Sequence, residues 1–226
     1  DNINDTGDNY VAWCWKESAT AGFDMVLYTG DGSARTIGHS LSAVPKFYAT
    51  KDRSATANWP VYHAGNTSAP ETDFLILNTN AATADNAAIW NDTAPTSSVF
   101  SVGTDNDVND DGDSFIAYLF ADVQGYSQFG NYTGNGNADG TFVFLGFRPA
   151  WFMQKNTTDA ADNWHIFDAK RDPFNSTDEM LFANATSAEA TGNAIDFVSN
   201  GVKIRNTSNG MNGSGDNYVY AAFAEA

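Results

Sequence analysis

The phrase Gly-Asp-Asn-Tyr stands at Gly7 to Tyr10 and again at Gly215 to Tyr218. Each copy opens a strand-length run, Tyr10-Val-Ala-Trp-Cys-Trp-Lys-Glu17 and Tyr218-Val-Tyr-Ala-Ala-Phe-Ala-Glu225. A blurred third copy, Gly112-Asp-Ser-Phe-Ile-Ala-Tyr-Leu-Phe-Ala-Asp122, lies between them, so Tyr10, Phe115 and Tyr218 follow one another at intervals of 105 and 103 residues. A period near one hundred residues constrains every later assignment, because a reading of one unit must also hold in the next.

The remaining landmarks keep the period. Tyr28-Thr-Gly-Asp-Gly32 returns as Tyr132-Thr-Gly-Asn-Gly136, Pro45-Lys-Phe47 as Pro149-Ala-Trp151, Lys51 as Lys155, Trp59 as Trp164 and Asn78 as Asn184. The expected layout is a repeat over residues 22–124 and a second over 125–226, with residues 1–21 supplying the last strand of a preceding unit. Because an orphan strand carrying Tyr10, Trp13 and Trp15 would expose apolar side chains and an open edge, we expect it to be paired into the fold, as an interface or by strand exchange. With a start on Asp1, the chain reads as a processed product or an excerpt of a longer array.

Within a unit, short aromatic and β-branched runs such as Phe23-Asp-Met-Val-Leu-Tyr28, Phe74-Leu-Ile-Leu77 and Phe115-Ile-Ala-Tyr-Leu-Phe120 are punctuated by Gly, Asn, Asp and Pro. That pattern is all-β, and no stretch sustains a helical period. Two tandem jelly-roll sandwiches of about one hundred residues each are the expectation.

The charge balance, 28 acidic against 11 basic residues for a net −17, disfavours nucleic acid and anionic membrane surfaces as partners. No apolar stretch is long enough for a membrane-spanning helix. Cys14 is the only cysteine, so no intrachain disulfide forms; between Trp13 and Trp15 it reads as a small buried apolar residue. The nine Asn-x-Ser/Thr sites bear on glycosylation only in a eukaryotic source.

Chemistry-bearing patterns are few. From Asp107 the chain reads D-x-N-x-D-G, the opening of a calcium loop that would use Asp107, Asn109 and Asp111. The twelfth position, however, is Tyr118, where that loop carries a bidentate Glu. A polar turn before the last strand is the competing reading, and calcium is the one cofactor that the pattern raises. Trp59 with Tyr62, and Trp164 with Phe167, have the spacing of stacking platforms for a sugar ring, although equivalent positions in two units are more often core. No histidine keeps its place between units, since His63 corresponds to Asp168, and no nucleophile, zinc or phosphate-loop signature occurs. Lys51-Asp-Arg53 and Asp168-Ala-Lys-Arg171 read as ion pairs that pin loops. The chain reads as a non-enzyme.

Several runs together carry a resemblance. They are Gly146-Phe-Arg-Pro-Ala-Trp151, Lys155, Asn163-Trp-His-Ile-Phe-Asp168, Arg171, Ile195-Asp-Phe197, Asn200-Gly201 and the closing strand, with Lys51-Asp-Arg53, Asn58-Trp-Pro-Val-Tyr62 and Trp90-Asn-Asp-Thr-Ala-Pro95 in the first unit. This combination resembles a repeated domain of unassigned function in structural proteins of tailed phages of marine bacteria. The resemblance implies concanavalin-like sandwiches in a tail fibre or head appendage at the virion surface. It also implies a homo-oligomer, by analogy with fibres a trimer, that contacts other virion proteins and a host surface polysaccharide. The rivals are an architectural capsid-decoration or filament subunit and a polysaccharide depolymerase.

Overall fold

A computed structural model describes residues 5–225. The first half contributes β1 (Phe23–Thr29), β2 (Arg35–Gly38), β3 (Phe47–Asp52), β4 (Pro60–His63), β5 (Asp73–Ile76), β6 (Ala84–Asp85), β7 (Val99–Val102) and β8 (Ser114–Phe120). The second contributes β9 (Ser127–Thr133), β10 (Phe142–Phe144), β11 (Pro149–Asn156), β12 (His165–Asp168), β13 (Leu181–Phe182), β14 (Ile195–Val198), β15 (Gly201–Ile204) and β16 (Asn217–Ala224). Three single-turn helices interrupt them, α1 (Ala87–Trp90), α2 (Asn106–Asn109) and α3 (Asn209–Asn212). The fold is all-β, as the short aromatic and β-branched runs predict.

The strands form four antiparallel sheets: β1-β8-β3-β4-β5-β6, β2-β7, β13-β12-β11-β16-β9 and β10-β15-β14. Each large sheet packs one face on the small sheet of its own half, which gives a β-sandwich. Ile37, Tyr48, Phe100, Val102 and Leu119 lie in the first such core, and Val143, Phe152, Phe197, Val202 and Tyr218 in the second. A third apolar layer joins the two large sheets back to back, with Phe47, Ala49, Val61 and Leu75 of the first against Phe129, Trp151, Met153, Trp164, Val219 and Phe223 of the second. Burial on both faces explains why β16, Asn217–Ala224, reads as a continuous apolar run with six consecutive buried residues. By contrast β8 alternates buried with half-buried residues, since its outer face is only partly covered.

The local frame is set by side chains that cap the turns. Asn86 and Asp105 accept backbone N–H bonds from Ala88 and Asp107 at the starts of α1 and α2. Gly22 starts β1 at φ +67, where an added Cβ would lie 2.8 Å from the Ala121 carbonyl oxygen; glycine alone fits there.

The leading segment departs from expectation. No strand is assigned from Asp5 to Glu17. Trp13 and Trp15 alternate with exposed neighbours as a strand would, yet they act as anchors for an otherwise solvated backbone. Trp15 meets Trp151 edge-on at 5.6 Å and Phe223 at 5.3 Å, and Trp13 meets Trp151 at 6.2 Å. The segment thereby closes one end of the layer between the large sheets. Tyr10 stays exposed, and Cys14, expected to be buried, is exposed as well. The alternation that puts both tryptophans inward turns Cys14 outward.

Candidate functional site

An apolar cleft of about 450 Å³ opens where the two large sheets part company. Its walls are Trp13, Trp15, Phe23, Met25, Phe47, Ala49, Trp59, Leu77, Tyr118, Phe120, Phe129, Trp151, Met153, Ile166, Ala183, Ala221 and Phe223, with no charged residue and no amide side chain. Trp59 and Tyr118 form its accessible rim, stacked at 6.2 Å with planes 15° apart.

Trp59 and Trp164 share one local frame. Each precedes a strand, and each donates its backbone N–H to an asparagine carbonyl at 2.9 Å, Asn78 Oδ1 for Trp59 and Asn184 Oδ1 for Trp164. Their surroundings differ. Trp164 is buried, and its Nε1 donates to the Ile76 carbonyl in the opposite sheet at 3.0 Å, whereas Trp59 keeps part of its ring in solvent. Tyr62 and Phe167 are also core, with Tyr62 stacked on Tyr48 at 4.7 Å. The sugar-platform pairs of the sequence reading are therefore not surface pairs. Three of the four rings are sealed because the positions lie inside a sheet-on-sheet layer, and only Trp59 can offer a face.

The calcium pattern is likewise put to other uses. Asp107 accepts from Asn58 N at 3.1 Å and from Asn58 Nδ2 at 2.9 Å. Asn109 is buried; its Oδ1 accepts from Asp31 N, and its Nδ2 donates to the carbonyls of Ser33 and Gly103 at 2.7 and 2.9 Å. Asp111 is exposed. The three do not converge, because Asn106–Asn109 winds into a helical turn that faces its amide inward. Among the described residues no group of three or more His, Cys, Asp or Glu is gathered as a metal site. The position one hundred and three residues on repeats the arrangement without the acids. Asn212, also buried, accepts from Asn135 N at 3.0 Å and donates to the carbonyls of Asn137 and Asn206, each at 2.8 Å.

Titratable groups are built into the frame. Asp168 accepts from Arg171 Nε at 2.6 Å, from the backbone N–H groups of Lys170 and Arg171, and from Trp13 Nε1 at 3.2 Å. Burial alone would raise its pKa, but those Arg171 and Lys170 bonds hold it below the usual carboxylate value. Arg171 also pairs with Glu189, so the loop after β12 is pinned as the charge pattern predicts. His63 and His165 are both pressed down to about 4, by desolvation first. His63 Nδ1 accepts from Gly65 N at 3.0 Å, which leaves Nε2–H to donate to the Tyr220 carbonyl at 2.9 Å across the two halves. Lys155 is buried, donates to the Asn156 carbonyl, and is lowered to about 8 by desolvation. His63, His165 and Lys155 are each spent on a structural bond or buried contact, whereas Asp168 lines a second concavity of about 330 Å³ together with Cys14, Lys170 and Glu225.

Sequence reasoning missed the cleft residues Met25 and Tyr118 and, beside them on β1, the exposed Leu27. A signal was present in the repeat spacing, where Leu27 corresponds to Asn131, a polar residue that donates through Nδ2 to the Gly65 carbonyl at 2.9 Å. Both positions are exposed, and only the polar one is bonded to the other half.

A chain of this architecture, with sheets paired into sandwiches, belongs to the all-β class. The chain is a member of the family described as a domain of unknown function (DUF7483), whose model matches residues 1–226. That one match takes in both halves and the leading segment. No curated protein and no solved structure shows a significant match.

Proposed function

We propose that this chain is a non-enzymatic structural module of a virion surface appendage, built from two tandem sandwich units of jelly-roll type, and that it works by association. The paired contacts one period apart support the tandem reading. Tyr28 donates its hydroxyl to the Val108 carbonyl at 2.7 Å and Tyr132 to the Met211 carbonyl at 2.8 Å; Asn109 and Asn212 brace the same turns. The virion setting rests on the resemblance of the repeated motifs.

One observation favours the architectural role over glycan adhesion. The polar groups beside Trp59 are already engaged, Asn58 with Asp107 and Asn78 with the backbone of Trp59 and the side chain of Asn58. A sugar stacked there would find an indole but no free partners for its hydroxyls, and such sites need both. Adhesion keeps a foothold in the Trp59 ring itself, so the test is binding to host cells with competition by their extracted surface polysaccharide. The architectural reading expects no competed binding. Competed binding that Trp59→Ala abolishes would replace it with receptor recognition, and shortening of the polymer would point to a depolymerase.

A further inference from the structure

The open edge of the first large sheet is β1, and its outward backbone groups can be identified. Lys46 N donates to Phe120 O and Arg53 N to Ser114 O, so the even-numbered residues of β8 turn toward β3. The odd-numbered ones therefore bond β1 through Asp24, Val26 and Tyr28, the residues opposite them in register. Phe23 closes on Ser18 in both directions, and the Thr29 carbonyl accepts from Arg35. That leaves the N–H and C=O groups of Met25 and Leu27 facing outward. Among the described residues no backbone group meets them.

Their side chains are apolar and open, Met25 at 42% and Leu27 at 64% exposure. Register places Met25 beside Tyr118 and Leu27 beside Ile116, so Leu27, Met25, Tyr118 and Trp59 make one stripe that runs into the layer between the large sheets. The edge carries none of the usual guards. It has no proline, no bulge and no lysine, and its one acid, Asp24, is buried with its carboxylate accepting from Ser40 N at 2.6 Å. Two other exposed rings have a local reason that this stripe lacks: Phe142 lies over Gly201, and Phe144 over Gly146. In the second half the strand at the same place is guarded: Phe129 is buried in the shared layer and its N–H donates to Asp122 Oδ1 at 2.9 Å, and the exposed Asn131 is polar and bonded to Gly65.

We infer that the β1 edge pairs with the β1 edge of a second copy of this chain. A two-fold axis beside Val26 sets Met25 opposite Leu27 of the partner subunit, and Leu27 opposite the partner's Met25. All four outward N–H groups then find carbonyls, and the apolar stripes of the two copies become continuous. The partner is a second copy because the edge is self-complementary about Val26 and continues an interface that the chain already makes with itself. This inference deepens the architectural reading and rests on it; it exchanges the trimer implied by fibres for a two-fold assembly.

Sedimentation of the full chain tests it. The wild type should run as a dimer. Leu27→Lys, at an exposed position, and Met25→Pro, at an outward N–H, should each weaken the dimer at least about tenfold. Their melting as monomers should be unchanged, and Phe144→Lys should leave the dimer intact. Since each copy carries net charge −17, the dimer should tighten with added salt. A wild-type monomer at every concentration, a three-fold assembly, a dimer that survives both edge substitutions, or one that salt dissolves would overturn the pairing. Polysaccharide binding through Trp59 would overturn the architectural reading separately, with sedimentation still judging the pairing.

Discussion

On the outer face of β11 and β16 in the second half, Trp151, Met153, Val219, Ala221 and Phe223 are roofed by the first half, while the matching face of β1 and β8 in the first half overhangs into solvent. The same local frames therefore yield two kinds of surface. Trp164 with its Asn184 brace is a rivet between sheets; Trp59 with its Asn78 brace is the rim of a cleft. Local sequence thus sets the frame of a residue, and the offset between stacked sheets sets its exposure. A site in such a protein is found by asking which copy of a shared position remains uncovered.

The sharpest way to break this comparison is to truncate both tryptophans. Trp164→Ala should cost about 3–5 kcal/mol in denaturant unfolding, since it removes a buried indole and its bond to the Ile76 carbonyl across the two sheets. Equal losses at Trp59 and Trp164 would show that the two faces are alike.

Acid probes the joint between the halves. The folded pKa values of His63 and His165, about 4, lie below the unfolded value of about 6.5, so the unfolded chain takes up protons first as pH falls. Stability is thus fully present above pH 6.5 and is lost toward pH 4, by at most about 3 kcal/mol for each group. Urea midpoints across that window should fall, and His63→Gln should flatten the slope by about half. A pH-independent midpoint would show that neither ring is buried neutral.

Asn109→Ala and Asn212→Ala compare two braces of one design. Each should cost about 2 kcal/mol, because several buried backbone groups lose their partner together. Chelator should leave the melting temperature unmoved in either case, and a fall would restore the calcium reading of Asp107, Asn109 and Asp111.

The smallest effect is expected at the overhang. Trp59→Ala should change stability by less than about 1 kcal/mol, the ordinary result at a part-exposed position away from a buried network.

Much of the fold was legible because strand alternation is a local property. Phe115 to Phe120 reads as a strand-length aromatic and aliphatic run and alternates in burial, and Tyr28, Asn78 and their later counterparts recur in matching bonds. The leading segment misled for a physical reason. Tyr10 to Glu17 has the side-chain period of a strand, but a strand also needs a partner ladder, and the two tryptophans dock without one. The site was less legible still. Whether Tyr62, Phe167 and Trp164 face sugar or core depends on a sheet contributed from up to a hundred residues away, and no window around them carries that information. The acidic loop failed in the same way, since D-x-N-x-D-G is a ligand set only when its oxygens face one point, and here Asn109 points into the frame.

The placement of β16 bears on mechanics. Among the described residues it is the last strand, and it lies in its sheet between β9 on one side and β11 on the other, antiparallel to both. Tension applied beyond Ala224 runs along that strand, so the two flanking ladders are loaded in shear and their bonds share the force together. An edge strand would instead peel, one bond at a time. A module tethered through this end is suited to hold a steady pull, with resistance set by the rate of forced unfolding rather than by the equilibrium stability of the sandwich.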